Sequence, residues 1–229
     1  MKICGLQKLT LLDFPEHVAC TVFLGGCNLR CPFCHNRDLV LGGGEELMGE
    51  EELLRFLQKR KGLLDGVCIT GGEPLLWDQT LELAARIKDL GYLLKLDTNG
   101  FFPQRLRTFL DRSLADYIAM DIKSSPDGYP AATGLSRVEL APVEESVRLI
   151  RQSGVAHEFR TTVVRQLHGP EEMAAIGDWL AGTERYFLQG FVDSGALIDP
   201  GMSGYSKEEM EKLLKIVQKK IPNAALRGV

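Results

Sequence analysis

Apolar and polar positions follow two rhythms along the chain. Short apolar runs rich in β-branched and aromatic residues read as buried strands: "VACTVFL" (18–24), "GVCIT" (66–70), "YLLKLDT" (92–98), "DYIAMDI" (116–122), "HEFRTTVV" (157–164) and "RYFLQGF" (185–191). Elsewhere apolar residues recur every three or four positions. That spacing predicts helices over about 50–60, 75–90, 103–112, 142–153, 170–181 and 206–220. Pro74 and Pro170 fall near the first turns of two of them, where a missing N–H costs nothing. "SKEEMEKLLKIVQKK" (206–220) carries acids in its first turn and lysines in its last, as the helix dipole prefers.

Six strand–helix repeats in strict order imply an α/β fold with a parallel sheet and helices packed outside it. Helices on one side would make a barrel or part of one, and helices on both sides a doubly wound sheet. Periodicity alone does not choose between them. No low-complexity segment or linker interrupts the pattern, so residues 1–229 are expected to form a single domain. The stretch 123–142, "KSSPDGYPAATGLSRVELAP", shows neither rhythm and is expected to be a long structureless loop, a kind that is usually functional. A shorter glycine-rich loop, "LGGGEELMG", covers 41–49.

Composition narrows the function classes. Of 229 residues 45% are hydrophobic and 25% charged, an ordinary globular balance that can bury a core without disulfides. The net charge is −4 and no basic stripe stands out, so nucleic acid is not expected as a partner. The basic run "LQKRKG" (57–62) closes a helical pattern and complements its dipole. No apolar run approaches the ~20 residues of a membrane span. The opening "MKICGLQKLTLLDFPEH" lacks the apolar core and cleavage site of a signal peptide. These features lead to the expectation of a cytoplasmic protein without a membrane partner. In a reducing compartment, clustered cysteines point to metal or redox chemistry.

Three of the six cysteines, Cys27, Cys31 and Cys34, lie within the eight residues "CNLRCPFC". Three readings compete. One helix face could carry positions i, i+4 and i+7, but Pro32 after the second Cys and Gly25 and Gly26 before the first oppose a continuous helix. A structural zinc wants four ligands, and Cys4, Cys20, Cys68 or His35 could add the fourth. Cys20 and Cys68, however, sit in apolar strand patterns and read as core. The third reading is an iron–sulfur cluster, in which three local thiolates leave one iron open to another ligand.

Polar motifs gather at the ends of the expected strands: "GGC" (25–27), "TGGEP" (70–74), "DTNG" (97–100), "MDIK" (120–123), Arg160 within "FRTTVV" and "FLQGF" (187–191). In parallel α/β folds that edge binds ligands. Gly71 and Gly72 would let a ligand approach the backbone, with Glu73 beside a helix start. Asp121 and Lys123, two apart on a strand, share a face and form either a structural ion pair or part of a polar site. His157 and His168 show no partners and read as surface or strand-end residues.

The spacing Cys27-x3-Cys31-x2-Cys34, with Phe33 before the third Cys, resembles the motif of the radical S-adenosylmethionine (SAM) superfamily, and "GGEP" resembles its SAM-binding segment. "CHN" (34–36), "DTNG" and "DIK" are similar to those of glycyl-radical-enzyme activating proteins. The segment from "GLQKLTLLDFPEHVACTVFLGGCNLRCPFCHN" to "EFRTTVV" most resembles the activating proteins of anaerobic ribonucleoside-triphosphate reductase, relatives of pyruvate formate-lyase activating enzyme. The likeness runs from Gly5 to about residue 191.

The resemblance implies a partial (β/α)6 TIM-like barrel of the radical SAM type. It implies one [4Fe-4S] cluster on Cys27, Cys31 and Cys34, whose fourth iron binds SAM. Phe33 and His35 would lie beside SAM, and Gly71, Gly72 and Glu73 would offer backbone contacts to its methionine end. Asp97, Asp121 and Lys123 match SAM-contacting positions, with Arg160 in the same pocket. The implied partners are a glycyl radical enzyme, anaerobic ribonucleotide reductase, and a one-electron donor such as flavodoxin or ferredoxin. Activation of pyruvate formate-lyase or another glycyl radical enzyme, a radical SAM reaction on a small molecule, and a zinc-stabilised binding module are the alternatives. The chain departs from the pattern at Gly190, where such relatives often carry a second glutamine, and in the loop "SPDGYPAATG". It has no inserted ferredoxin-like cysteine set, so a second cluster is not implied.

Overall fold

The computed structural model describes residues 1–42, 44–193, 195 and 197–229. Its strands are β1 (Ile3–Thr10), β2 (Ala19–Leu24), β3 (Gly66–Gly71), β4 (Leu93–Thr98), β5 (Tyr117–Asp121), β6 (Ala156–Val163), β7 (Tyr186–Gly190) and β8 (Ala225–Arg227). The helices are α1 (Arg37–Leu41), α2 (Glu50–Lys59), α3 (Gln79–Asp89), α4 (Pro103–Asp111), α5 (Tyr129–Thr133), α6 (Ala141–Gln152), α7 (Pro170–Trp179) and α8 (Lys207–Val217). In the first unit described below the strands pair in the order β1-β2-β3-β4, and in the second in the order β6-β7-β8. The six expected strands are β2 to β7, and the six expected helices all form.

Contacts divide the chain into two compact units. The first comprises Met1–Asn28, Asp38–Ala119 and Ala141–His157; the second comprises Leu29–Arg37, Met120–Leu140 and Glu158–Val229.

In the first unit, β2 pairs parallel with β3 from Ala19↔Gly66 to Leu24↔Gly71, and β3 pairs parallel with β4 from Gly66↔Leu93 to Ile69↔Leu96. These strands are buried along almost their whole length, which is why they read as continuous apolar runs. β1 pairs antiparallel with β2, with register shifts between Ile3 and Gly5 and between Gln7 and Thr10. It was not expected. Its middle, Gln7, Lys8 and Leu9, is exposed, so the polar, irregular run lacks a strand signature. Phe14 packs with Ala19, Tyr117, Ala119 and Leu93. α2 turns Leu53, Leu54 and Leu57 inward behind three glutamates in its first turn. Each buried leucine contributes roughly 1.5–3 kcal/mol. The helix expected over 75–90 is divided. Pro74–Leu76 forms one 3₁₀ turn, Trp77 is extended, and α3 starts at Gln79.

In the second unit, β6 pairs parallel with β7 from Phe159↔Tyr186 to Val163↔Gly190, and β7 with β8 from Phe187↔Ala225 to Gln189↔Arg227. The buried phenols are satisfied: the Tyr186 hydroxyl donates to Thr161 Oγ1 at 2.6 Å, and the Tyr129 hydroxyl accepts from the Lys123 N–H at 3.2 Å. The stretch 123–142 is not structureless. It contains α5, with Pro130 in its first turn and Gly134 closing it in the left-handed conformation, and α6 begins within it at Ala141. Five residues and a proline are too short for the helical rhythm to show. α8 is capped by Ser206, whose hydroxyl accepts from the Glu209 N–H while the Glu209 carboxylate accepts from the Ser206 N–H. Among the described residues, no helix is long and apolar enough to cross a membrane.

Candidate functional site

The first unit holds Cys27 and the expected motifs of β3 and β4. Gly71 ends β3 with a positive φ of 116°. Beyond it, the Gly72 N–H donates to the Leu24 carbonyl and the Glu73 N–H to the Gly26 carbonyl, both at 2.8 Å. A Cβ on Gly72 would overlap the Gly26 carbonyl oxygen, so this glycine is needed for two backbones to touch. The Gly26 N–H donates to Leu39 at 2.8 Å, and the Trp77 indole N–H donates to the Gly25 carbonyl at 2.9 Å. The chain entering Cys27 is therefore tied down from three sides.

Glu73 is buried at 1% exposure. Its Oε1 accepts from the Leu75 N–H at 2.9 Å and the Thr98 hydroxyl at 2.8 Å, and its Oε2 accepts from the Asn99 N–H at 2.7 Å. Three donors compensate the desolvated carboxylate. The side chain thus joins the β3 turn to the "DTNG" turn, and only the backbone of this stretch remains for a ligand.

Asp97 pairs with Lys95, and the Lys95 ammonium lies 3.8 Å from Cys68 Sγ. Lys95 is 2% exposed and was not expected. Its position two residues before Asp97 on one strand puts both on one face. The same two-residue spacing relates Asp121 to Lys123. The sequence marks Asn99 only as part of a turn. Its amide nitrogen is 2.8 Å from Asn28 Oδ1 and 3.8 Å from Cys27 Sγ. Cys20 and Cys68 are fully buried core thiols, as expected, and burial pushes the Cys20 thiol up to about 12.

The second unit holds Cys31, Cys34 and the polar cluster after β5. The Cys34 N–H donates to the Cys31 carbonyl at 3.0 Å, closing a turn over Pro32 and Phe33. The Arg30 N–H donates to Thr133 of α5 at 2.9 Å, and the Pro32 carbonyl accepts from the Asp199 N–H at 2.9 Å. α5 therefore braces this segment. Cys31 is buried and Cys34 half-buried. Burial pushes the Cys34 thiol up; Lys123 and Arg30 act in the opposite direction and Asp121 with it. Phe33 is buried against His168, ring centroids 6.2 Å apart, whereas His35 lies 5.2 Å from Phe191. Burial lowers the pKa of His35, and nearby Asp193 partly offsets this.

Asp121, Lys123 and Arg160 form one cluster. Arg160 Nε donates to Asp121 Oδ1 at 2.6 Å and Lys123 Nζ to Asp121 Oδ2 at 3.0 Å. Desolvation would raise the Asp121 carboxyl, but the two cations and their hydrogen bonds outweigh it and hold it well below the usual carboxylate range. Its side chain keeps 29% exposure, so the paired carboxylate still reaches solvent. Glu158, two residues before Arg160, is held by Arg227 of β8 through bonds of 2.6 and 2.9 Å.

His168, expected as a surface or strand-end residue without partners, is 1% exposed and has two. Its Nδ1 accepts from the Val164 N–H at 2.9 Å, so Nε2 carries the proton and donates to the Lys123 carbonyl at 2.8 Å. It clamps the backbone under Lys123. No local pattern marks this role, because its partners come from a β-strand end and a distant loop.

Gly190, the departure from the resembled pattern, has a packing cause. A Cβ there would overlap the Gly228 carbonyl oxygen, because the chain leaving β8 runs against β7. Among the described residues, no three His, Cys, Asp or Glu side chains are gathered to hold a single metal ion.

A family model described as the Radical SAM superfamily matches residues 21–180. The chain is 28% identical over 236 residues to a Methanocaldococcus jannaschii protein provisionally described as a glycyl-radical enzyme activating enzyme, covering 99% of this chain and 96% of that one. It is 31% identical over 178 residues to the pyruvate formate-lyase-activating enzyme of Clostridium pasteurianum, covering 75% of this chain and 72% of the relative. Among solved structures, Streptococcus suis SuiB bound to S-adenosylmethionine matches with a TM-score of 0.71 at 16% identity, over 90% of this chain. The match spans about half of the SuiB chain, 49%, and shows the fold alone: the partial (β/α)6 barrel of the radical SAM type. On these matches, the chain belongs to the Radical SAM superfamily and, within it, to the glycyl-radical-enzyme activating enzymes, which are oxidoreductases.

Proposed function

We propose that this chain generates a glycyl radical on a partner enzyme, anaerobic ribonucleoside-triphosphate reductase, using one [4Fe-4S] cluster and SAM. The observation that carries the reading is the build of the cysteine segment. Its entry is hydrogen-bonded to the Gly71-Gly72-Glu73 turn, and three thiols follow within eight residues. Family membership implies both cofactors, and the donor set fits them. Thiolates are the usual iron–sulfur ligands, and Cys27, Cys31 and Cys34 would hold three irons, leaving the fourth to SAM.

The chain's own residues bind and orient. The Gly72 and Glu73 N–H groups are spent on Leu24 and Gly26, so this turn offers carbonyl oxygens, which suit the amino group of SAM. We assign Asp97, Asp121, Lys123 and Arg160 to its polar groups, and Phe33 and His35 to its adenine side. Lys95 holds Asp97, and His168 holds the Lys123 backbone, so each assigned group has its own support. When bound, the reduced cluster would supply one electron and SAM the 5′-deoxyadenosyl group, which is the chemistry that removing a hydrogen atom from a partner glycine requires. We read 1–229 as one domain, since the chain returns to each compact unit after leaving it. A cytoplasmic location and a one-electron donor such as flavodoxin or ferredoxin complete the reading.

The test is electron paramagnetic resonance of the anaerobically reconstituted, reduced protein, with and without SAM. A cluster signal that changes on adding SAM is expected, followed by a glycyl radical signal on the added reductase. No iron signal would overturn the reading. A SAM-sensitive cluster that never activates the reductase would leave the chemistry and remove the partner, favouring pyruvate formate-lyase or a small-molecule substrate. Lys123→Ala should weaken SAM binding about tenfold, on the order of 1.4 kcal/mol, with iron content unchanged. Unchanged SAM affinity would remove Lys123 from the site.

A further inference from the structure

The "DTNG" turn does more than reverse the chain. Glu73 accepts from the Asn99 backbone N–H at 2.7 Å and from the Thr98 hydroxyl at 2.8 Å, so a buried carboxylate fixes the turn. The Asn99 side chain is then oriented by its own oxygen, which accepts from the Phe101 N–H at 3.1 Å. That bond assigns the two ends of the carboxamide. The oxygen faces Phe101, and the NH2 group faces Asn28 Oδ1 at 2.8 Å and Cys27 Sγ at 3.8 Å. One N–H serves Asn28, and the second is available to the sulfur.

We propose that Asn99 is a positioning residue for the cluster: its amide N–H donates to Cys27 Sγ, orients that ligand and raises the reduction potential. This rests on the proposed cluster. A ligating thiolate carries more negative charge when the cluster is reduced, so a donor aimed at it favours the reduced state. The donor is held by two separate anchors, the Glu73 carboxylate on its backbone and the Phe101 N–H on its oxygen. It needs no reorganisation when the electron arrives. Glu73 gains a purpose beyond capping: it transmits the position of the β3 turn to Cys27 through Asn99.

The experiment compares wild type with Asn99→Asp and Asn99→Ser. Both variants keep an oxygen that can accept from the Phe101 N–H, and both remove the amide donor. Cluster content is measured as bound iron, fold by far-UV circular dichroism, and potential by anaerobic redox titration of the reduced-cluster signal. The expected result is a normal fold, full iron and a lower midpoint in both variants. At the wild-type midpoint the reduced-to-oxidised ratio should fall by about three- to tenfold, where tenfold corresponds to about 59 mV for one electron. Asn99→Ser covers the case in which the charge of Asn99→Asp expels the cluster. Iron loss from both variants with the fold intact would also support the proposal, since Cys27 would then need Asn99 to hold its iron. Full iron and a wild-type midpoint in both variants would overturn this inference alone. A wild-type protein that takes up no cluster would overturn the proposed function and this inference together.

Discussion

At the residue scale, the candidate residues within each unit are polar groups that each have a dedicated partner. Glu73 has three donors, Asp121 two cations, and Asp97 a buried lysine. Such groups are costly to break. In Glu73→Gln, one carboxylate oxygen becomes an NH2 group that cannot accept, leaving the Leu75 N–H or the Asn99 N–H unmatched. Urea unfolding should show a loss of about 1–3 kcal/mol with an unchanged slope. A wild-type midpoint would mean that the Glu73 contacts are incidental. His168 links residue chemistry to pH. Burial lowers its pKa, while the Lys123 and Val164 backbones and Glu172 act to raise it; burial wins. The neutral ring is the folded form, and the unfolded chain takes up its proton near the ordinary value of about 6.5. Stability from His168 is therefore fully present above that pH and is lost as pH falls from it through the lower folded value. The wild-type urea midpoint should decline from pH 7 to 5.5 more steeply than that of His168→Gln. Parallel declines would assign the titration to other groups.

At the element scale, β3 and β7 end in glycines because other segments approach their backbones closely: Gly26 does so where the chain leaves β3, and the segment after β8 does so at Gly190. The second case is testable with the side chain that the resembled pattern places there. Gly190→Gln should push the Gly228 backbone away and weaken the β7–β8 pairing. Hydrogen exchange should then quicken at Ala225–Arg227 while Phe159–Val163 stays protected. Unchanged exchange at 225–227 would show that β8 can shift to make room without losing its pairs. β1 and α5 show why some elements were illegible. β1 is an irregular edge strand with an exposed middle, and α5 is five residues around a proline. Neither has the length or periodicity that burial imposes on the central strands.

At the scale of the whole molecule, the six cysteines separate into classes that spacing alone only suggested. Cys20 and Cys68 are fully buried in strands, Cys4, Cys27 and Cys34 are half-buried, and Cys31 is buried in the clustered segment. In cluster-free native protein, a brief iodoacetamide pulse followed by mass spectrometry should label Cys27 and Cys34 and spare Cys20 and Cys68. Burial both hides the latter pair and, for Cys20, pushes the thiol up to about 12, leaving almost no thiolate. With the cluster loaded, Cys27 and Cys34 should become protected and Cys4 should not. Labelling of Cys20 at the rate of Cys34 would contradict the class division.

The amino-acid sequence by itself determined the alternation of six strands and helices, the thiol triplet and the polar motifs at strand ends. These are local signals: burial on both faces writes an apolar run into each central strand, and the three thiols stand within eight residues. What only the tertiary structure decided are the partnerships across long separations. Lys95 and Asp97 are neighbours that the pattern could have paired, but Asn99 reaches Cys27 across 72 positions and His168 reaches Lys123 across 45. A hydrogen bond between distant residues leaves no periodicity in the chain. It exists because parallel pairing stacks strand ends side by side, bringing the turns that follow them within reach of one another.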